Sequence, residues 1–336
     1  MKRHQITIVD IAQKLNLSKS TVSRVLTGHP SVSEKRVKQY WNWPSSWIIN
    51  ATCFPLACST KKQYHWDHCA RVYQFLFPTG DHGGTRGSRP RRLQYHYWSF
   101  NENYETEVAN TKQMLASQVD GLLVSITKET RNFDHLKVFE RKGIPIVFFN
   151  RVCEDMNVPK VVVDDYEGAF RAVEHLIKRK KKRIAHLAGP DTLAISVKRL
   201  RGYRDALKKY NIPIDEELII PYDLTIAKVK IYVNHLLRLD NPPDAIFAIN
   251  DPTAIEALQI VKKKGLQVPR DIAIVGFSND NISGLIEPAL TTVSQPVKEI
   301  GSTAAQLLID QISRDISEWK SIIRVLKTEL IVRKSS

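Results

Sequence analysis

Short hydroxyl side chains and cations are packed at helical spacing into residues 6–27, ITIVDIAQKLNLSKSTVSRVLT. Thr7 is a good helix N-cap, and Asp10 is favourable in the turn that follows. Ile8, Ile11, Ala12 and Leu15 then recur on one apolar face. Asn16 and Leu17 make a short turn, and Ser18 caps a second helix through Leu26 that turns Val22, Val25 and Leu26 inward. Lys19, Ser20, Ser23 and Arg24 are left on its outer face. Two short helices joined by a tight turn fit a helix-turn-helix, which offers the N-terminal end of its second helix to the DNA major groove. The free N–H groups there favour a phosphate, and hydroxyl side chains approach the DNA backbone closely. Lys19 and Arg24 can donate to guanine O6 and N7. A surface pair of helices with incidental charges has the same pattern, so these residues alone leave both readings open.

A second cluster has metal-ligand chemistry. Cys53, Cys58, His65, His68 and Cys69 are the side-chain types that hold zinc. Their spacing, C-x4-C-x6-H-x2-H-C, fits no familiar zinc module. No Ser-His-Asp, Cys-His or paired-carboxylate arrangement has motif support, so no catalytic residue, cofactor or metal is expected.

The elements that must carry such residues divide the chain unevenly. Its 336 residues are enough for two or three domains, and 43% apolar residues can build a sizeable core. A formal charge of +15 suits a polyanionic partner. No apolar run is long enough to span a bilayer, the start has no secretory pattern, and four irregularly spaced cysteines make no disulfide framework. A cytoplasmic, reduced protein is expected.

Between residues 36 and 100 the composition changes abruptly. Trp41, Trp43, Trp47, Trp66 and Trp98 lie there, five of the chain's six tryptophans, with nine basic residues against only Asp67 and Asp81. Neither a helical nor a strand period runs through it. From residue 101 order returns. GLLVSI at 121–126, IPIVFFN at 144–150, KVVVDD at 160–165, RIAHLAG at 183–189, DAIFAIN at 244–250 and DIAIVGF at 271–277 alternate with helical patterns. That alternation predicts an α/β fold with parallel, doubly wound sheets and a ligand site beyond the carboxyl ends of the strands. The basic run 178–183 reads as the solvated end of a helix, and GPD at 189–191 is too short for a phosphate loop.

IVDIAQKLNLSKSTVSRVL followed by TGHPSVSEK closely resembles the opening of lac-repressor-family regulators. VDGLLVS, IPIVFFNR, VVVDDYEGA, RIAHLAGP, RLRGYRDAL, PDAIFAIND and IAIVGFSND resemble that family's effector domain across 101–332. The resemblance implies an N-terminal helix-turn-helix joined to a two-lobed, periplasmic-binding-protein-like domain. It also implies a repressor that binds double-stranded operator DNA as a homodimer and responds to a small-molecule effector, a sugar or sugar derivative. By resemblance Lys19, Ser20 and Arg24 would read bases, and Thr7, Ser18, Thr21 and Ser23 would hold phosphates. Arg199 would hydrogen-bond the effector, Phe247 would pack against it, and Asn250, Asp251 and Ser278 would line strand ends. Ordinary alternatives stand beside these: Arg199 on a helix surface, Phe247 in the core, Asp251 capping a helix. The family commonly has GFD where this chain has GFSND at 276–280, so Ser278 replaces an acid.

The same family explains the anomalous stretch. Because Trp has a single codon, reading from Tyr40 to Asn50 one base out of frame permits LELAKQLDYQ, which resembles the family's segment after SEK. A different offset from Gln63 to Thr79 permits NTIGIIVPEFTNSFFP, and near Leu93–Ser99 it permits YNIIIG, which resemble the first two sensor strands. The expected organisation is a truncated helix-turn-helix at 1–35, an out-of-frame segment at 36–100, and an effector and dimerisation domain at 101–336 that lacks its first β-α-β unit. A chain so encoded is expected to fold and repress poorly, with Pro44 ending the third helix early and neighbouring strands left unpaired.

Overall fold

A computed structural model describes residues 102–313, 315–316 and 319–336. The helix-turn-helix residues, the 36–100 segment and the cysteine–histidine cluster at 53–69 lie outside these. The described chain builds two sheets. The first has the order β1 (Leu122–Val124), β2 (Ile146–Phe149), β3 (Lys160–Val163) and β9 (Ile323–Leu326), all parallel. The second runs β10 (Glu329–Ile331), β8 (Thr291–Ser294), β7 (Ala273–Ser278), β6 (Ala245–Ala248), β4 (Ile184–Ala188), β5 (Ile219–Pro221). Only β10 in that sheet is antiparallel to its neighbour. The parallel α/β class read from the sequence is therefore the one observed. All six apolar runs named above contain a strand; β5, β8, β9 and β10 were not anticipated.

Helices cover the sheets as βαβ crossovers require. Helix α1 (Tyr104–Ala116) and helix α2 (Asp134–Arg141) enclose a core of Met114, Leu136, Phe139, Ile146 and Phe148 against the first sheet. On its other face lies α7 (Val297–Ile312), with Val297, Ile300 and Ala304 on Val147, Phe149 and Val161. In the second sheet, strand alternation splits β6 between two layers. Ile246 and Ala248 join the core under α5 (Ile226–Leu236) and α6 (Asp251–Lys263), while Ala245 and Phe247 join that under α3 (Asp165–Lys178) and α4 (Ala194–Lys209).

Local sequence sets the helix ends. In α3 the Asp164 carboxylate caps the Glu167 N–H at 3.0 Å, and Ala169, Ala172, Val173 and Leu176 supply the buried stripe. Gly202 lets α4 lie directly on α3, because a Cβ there would press on the Tyr166 carbonyl oxygen. The chain passes between the sheets at Asp164, at Gln295–Pro296 and at Lys327–Thr328. The first and third crossings touch, through Asp164 N–H to the Leu326 carbonyl at 2.9 Å and Thr328 Oγ1 to the Asp164 carbonyl at 3.4 Å. The basic run ends α3 as expected: Lys178 pairs with Glu174 at 2.9 Å and Arg183 with Asp215 at 2.6 Å. No helix among the described residues is long and apolar enough to cross a membrane.

His186 sits at the centre of the second sheet with no exposed surface. Its ring stacks on Phe247 at 4.8 Å and Tyr203 at 5.2 Å, and Nδ1 lies 3.0 Å from the Phe247 carbonyl oxygen, placing the proton on Nδ1. Burial pushes its pKa down from 6.5 to about 4. The unfolded chain then takes up a proton between pH 6.5 and pH 4 that the folded chain refuses. Stability is full above 6.5 and declines through that window by roughly 3 kcal/mol. Urea unfolding of His186→Phe at several pH values should show this part of the slope removed. An unchanged slope would assign the acid sensitivity to other groups.

Candidate effector cleft

Loops beyond the carboxyl ends of the two sheets face each other. After β1, the Lys128 Nζ donates to the carbonyl of Asp223, which follows β5, at 2.9 Å. The hydroxyl of Thr192, after β4, lies 3.5 Å from the Lys128 carbonyl oxygen. Glu154, after β2, pairs with Lys198 of α4 at 3.1 Å. Ligands of doubly wound sheets bind at these ends, so the space between these loops is the candidate site.

Arg199 is the most constrained side chain there, with 2% of its surface exposed. Its Nε and Nη2 donate to Asp165 Oδ1 at 2.8 and 2.7 Å, and Nη1 donates to the Ile249 carbonyl at 2.5 Å. The guanidinium carbon lies 3.6 Å from the centre of the Phe277 ring. Burial pushes the Asp165 carboxyl up, and the adjoining guanidinium pulls it back. Arg199 is thus not an ordinary helix-surface arginine.

Asn250 and Asp251 lie where the strand-end rule puts them, with distinct roles. The helix cap is Asn250, whose side-chain oxygen accepts from the Thr253 N–H at 3.0 Å. Asp251 occupies the first turn, fully buried, and accepts from the hydroxyls of Ser283 and Thr292, each at 2.5 Å, and from the Asp280 N–H at 2.8 Å. Burial pushes its carboxyl up while the two hydroxyls pull it down. Gly276 faces this carboxylate, and a Cβ there would collide with Asp251 Oδ1. Asp251 therefore organises the ends of β7 and β8.

Ser278 ends β7 with φ of +133° and Asn279 follows at +55°. The first value is rarely tolerated outside glycine, and such backbone strain gathers at ligand sites. Gln295 Nε2 donates to Ser278 Oγ at 3.2 Å, so a neutral pair stands where the resemblance implies an acid. Phe247 requires a correction. It has no exposed surface and stacks on His186 inside the core, because alternation along β6 turns it toward α3 and α4. Its expected contact with an effector is replaced by a packing role. Arg199 of α4 lies over Phe277, next to Ser278 at the end of β7; Phe247 lies in the same layer as Phe277, on β6, stacked on His186.

Asp165, Gln295, Asn279 and Lys128 were missed as site residues. Asp165 is the second residue past β3 in VVVDDYEGA, so the rule of watching strand ends could have found it. Gln295 follows β8, whose TTVS carries too little apolar signal to read as a strand.

Residues 7–39 match bacterial regulatory proteins of the lacI family, and residues 173–336 match a periplasmic binding protein-like domain. The two matches together reproduce the pairing of DNA reader and binding-protein-like domain that the sequence resembles. The helix-turn-helix match runs to residue 39, past the boundary at Lys35. Among relatives, the HTH-type transcriptional repressor CytR of Escherichia coli K12 is 34% identical over 223 residues. Those residues are 66% of this chain and 64% of the relative, so the chain spans just under two thirds of that protein. The probable HTH-type transcriptional repressor ExuR of Bacillus subtilis 168 is 29% identical over 336 residues, 98% of each chain. A LacI family transcriptional regulator from Enterococcus faecium, solved with bound ribose, aligns with a TM-score of 0.60 and 26% identity. That alignment covers 68% of this chain and 84% of the other.

Removing Asp165 leaves a buried guanidinium without its counter-charge. Asp165→Ala should cost about 3–5 kcal/mol in chemical unfolding. Adding Arg199→Leu should recover much of that loss, since the double variant buries no unpaired charge. Additive losses in the cycle would show that the two residues act independently.

Proposed function

We propose that this chain is a sequence-specific DNA-binding transcriptional repressor controlled by a small molecule in the cleft. The observation that carries the reading is the joining of a lacI-family helix-turn-helix match at 7–39 to a two-sheet domain whose strand ends oppose each other. On this reading Lys19, Ser20 and Arg24 contact base edges, and Thr7, Ser18, Thr21 and Ser23 contact phosphates. Two copies bind a palindromic operator as a homodimer. Arg199, Asn250, Asp251 and Ser278 shape the effector site. The effector is a sugar or sugar derivative, supported by the ribose seen in the Enterococcus faecium relative. A ligand that binds one lobe arrangement better than the other shifts the dimer between operator-competent and incompetent states.

The test is selection of duplexes from a random pool, followed by fluorescence anisotropy at several salt concentrations. A palindromic site should emerge, with affinity that falls steeply as salt rises. Arg24→Ala should weaken binding by about 1–3 kcal/mol and relax preference at one base. Recovery of no site, or an unchanged preference in Arg24→Ala, would remove the reading. Titration of a sugar panel into the complex then identifies the effector.

The 36–100 segment belongs to the same reading. We propose single-base slips near Lys35–Arg36, between Ala51 and Gln63, and near Ser99–Asn101, so that the chain as encoded lacks a hinge helix and a first β-α-β unit and represses weakly. Resequencing codons 30 to 105 decides between a reading error, in which the slips vanish, and a decayed gene, in which they persist; bases whose shifted frames do not encode LELAKQLDYQ and NTIGIIVPEFTNSFFP would end the proposal. A solute-binding protein of the same sensor fold has no use for residues 6–27. No catalytic activity is part of this reading, and an assay finding stoichiometric zinc on Cys53, Cys58, His65, His68 and Cys69 would favour the enzyme alternative.

A further inference from the structure

The loop after β1, residues 125–133, is fastened from below and reaches across the cleft from above. Beneath it lies Glu107 of α1, with no exposed surface. Its carboxylate accepts from the Thr127 N–H at 2.8 Å and the Thr130 hydroxyl at 3.0 Å, and lies 2.8 Å from His135 Nε2. Glu102 accepts from the Lys128 N–H at 2.9 Å, and Glu129 of the loop accepts from the Tyr104 N–H at 3.1 Å. A carboxylate is kept in the interior only where donors of this kind converge on it. The shape of the loop is therefore dictated by α1.

From this platform Lys128 extends to the opposite lobe. Its ammonium donates to the Asp223 carbonyl at 2.9 Å, a partly buried bond, and no carboxylate of the described residues pairs with it. The other charged contact across the cleft, Lys198 with Glu154, has side chains 44% and 52% exposed and is weakened by water and salt. A single charge-assisted bond to a carbonyl can be broken without stranding a buried counter-charge. An ammonium also has three donors, of which Asp223 uses one.

We propose that Lys128 is a latch that ties the two lobes together across the cleft, and that Glu107 is the residue that positions it. The latch sets the starting population on which a ligand acts. It rests on the cleft reading above, but its test needs neither operator nor effector.

Hydrogen exchange is measured on the full chain, without DNA or sugar, for Lys128→Met, Lys128→Arg and Glu107→Gln. Methionine keeps the length and loses the donor, and arginine restores a donor. Loss of one charge-assisted bond should speed exchange in the turn 222–225 about tenfold in Lys128→Met. Rates in α6 and β7 should stay as in the wild type, and Lys128→Arg should restore slow exchange in the turn. Glu107→Gln should speed both 125–130 and 222–225, although Glu107 touches only the first. Wild-type rates at 222–225 in Lys128→Met, equal acceleration in Lys128→Arg, or a Glu107→Gln effect confined to 125–130 would each overturn the latch. Acceleration spread through α6 and β7 would do so too, by showing general destabilisation. Failure to find an operator would leave this result standing.

Discussion

The second lobe is organised around one buried ion pair. Arg199 of α4 reaches past the Phe277 ring to Asp165, the first residue of α3, and to the Ile249 carbonyl beyond β6. Two charges inside a protein are tolerated only when each is neutralised and hydrogen-bonded. Meeting that condition brings the start of α3, the middle of α4, and the ends of β6 and β7 to one place. It does so one residue after Asp164, where the chain crosses between the sheets.

Next to it, Asp251 performs a parallel task with neutral donors. Hydroxyls from Ser283 and Thr292 and the Asp280 N–H satisfy its carboxylate, and Gly276 leaves the room it needs. The result is a rigid frame at the ends of β7 and β8, from which Ser278 and Asn279 project in left-handed backbone conformations. Rigid frames with strained strand ends are how a fold holds a small ligand without rearranging to do so. Loops of the first lobe meet the second at the ends of β4 and β5 and at α4, through Lys128 with Asp223, Thr192 with Lys128 and Glu154 with Lys198. The two family matches agree with this division: residues 7–39 match lacI-family regulatory proteins, and residues 173–336 match a periplasmic binding protein-like domain.

Much was legible before any coordinates. Six apolar runs gave six strands, because a buried parallel strand needs an unbroken stretch of Val, Ile and Leu. Asn250, Asp251 and Ser278 stand at strand ends, where such folds bind ligands, and Arg199 was singled out by resemblance alone. The strands that escaped notice are short or half-exposed. β9 leaves Ile323 and Val325 more than half exposed at a sheet edge, and β8 is TTVS. Their pairing depends on neighbours far away in sequence, so no local pattern announces them.

The sequence by itself determined that this chain carries a helix-turn-helix pattern, a parallel α/β domain and a stretch of foreign composition between them. Periodicity, caps and codon constraints are local properties, and they survive without a fold. Tertiary structure decided which polar groups are spent on holding the frame and which remain for a ligand. Phe247 was open between effector contact and core, and the fold buries it against His186, a placement that alternation along β6 fixes only once both helical layers are in place. The partners of Arg199, the donors around Glu107 and the reach of Lys128 were equally invisible. Each joins residues separated by 20 or more positions, and only folding sets those distances.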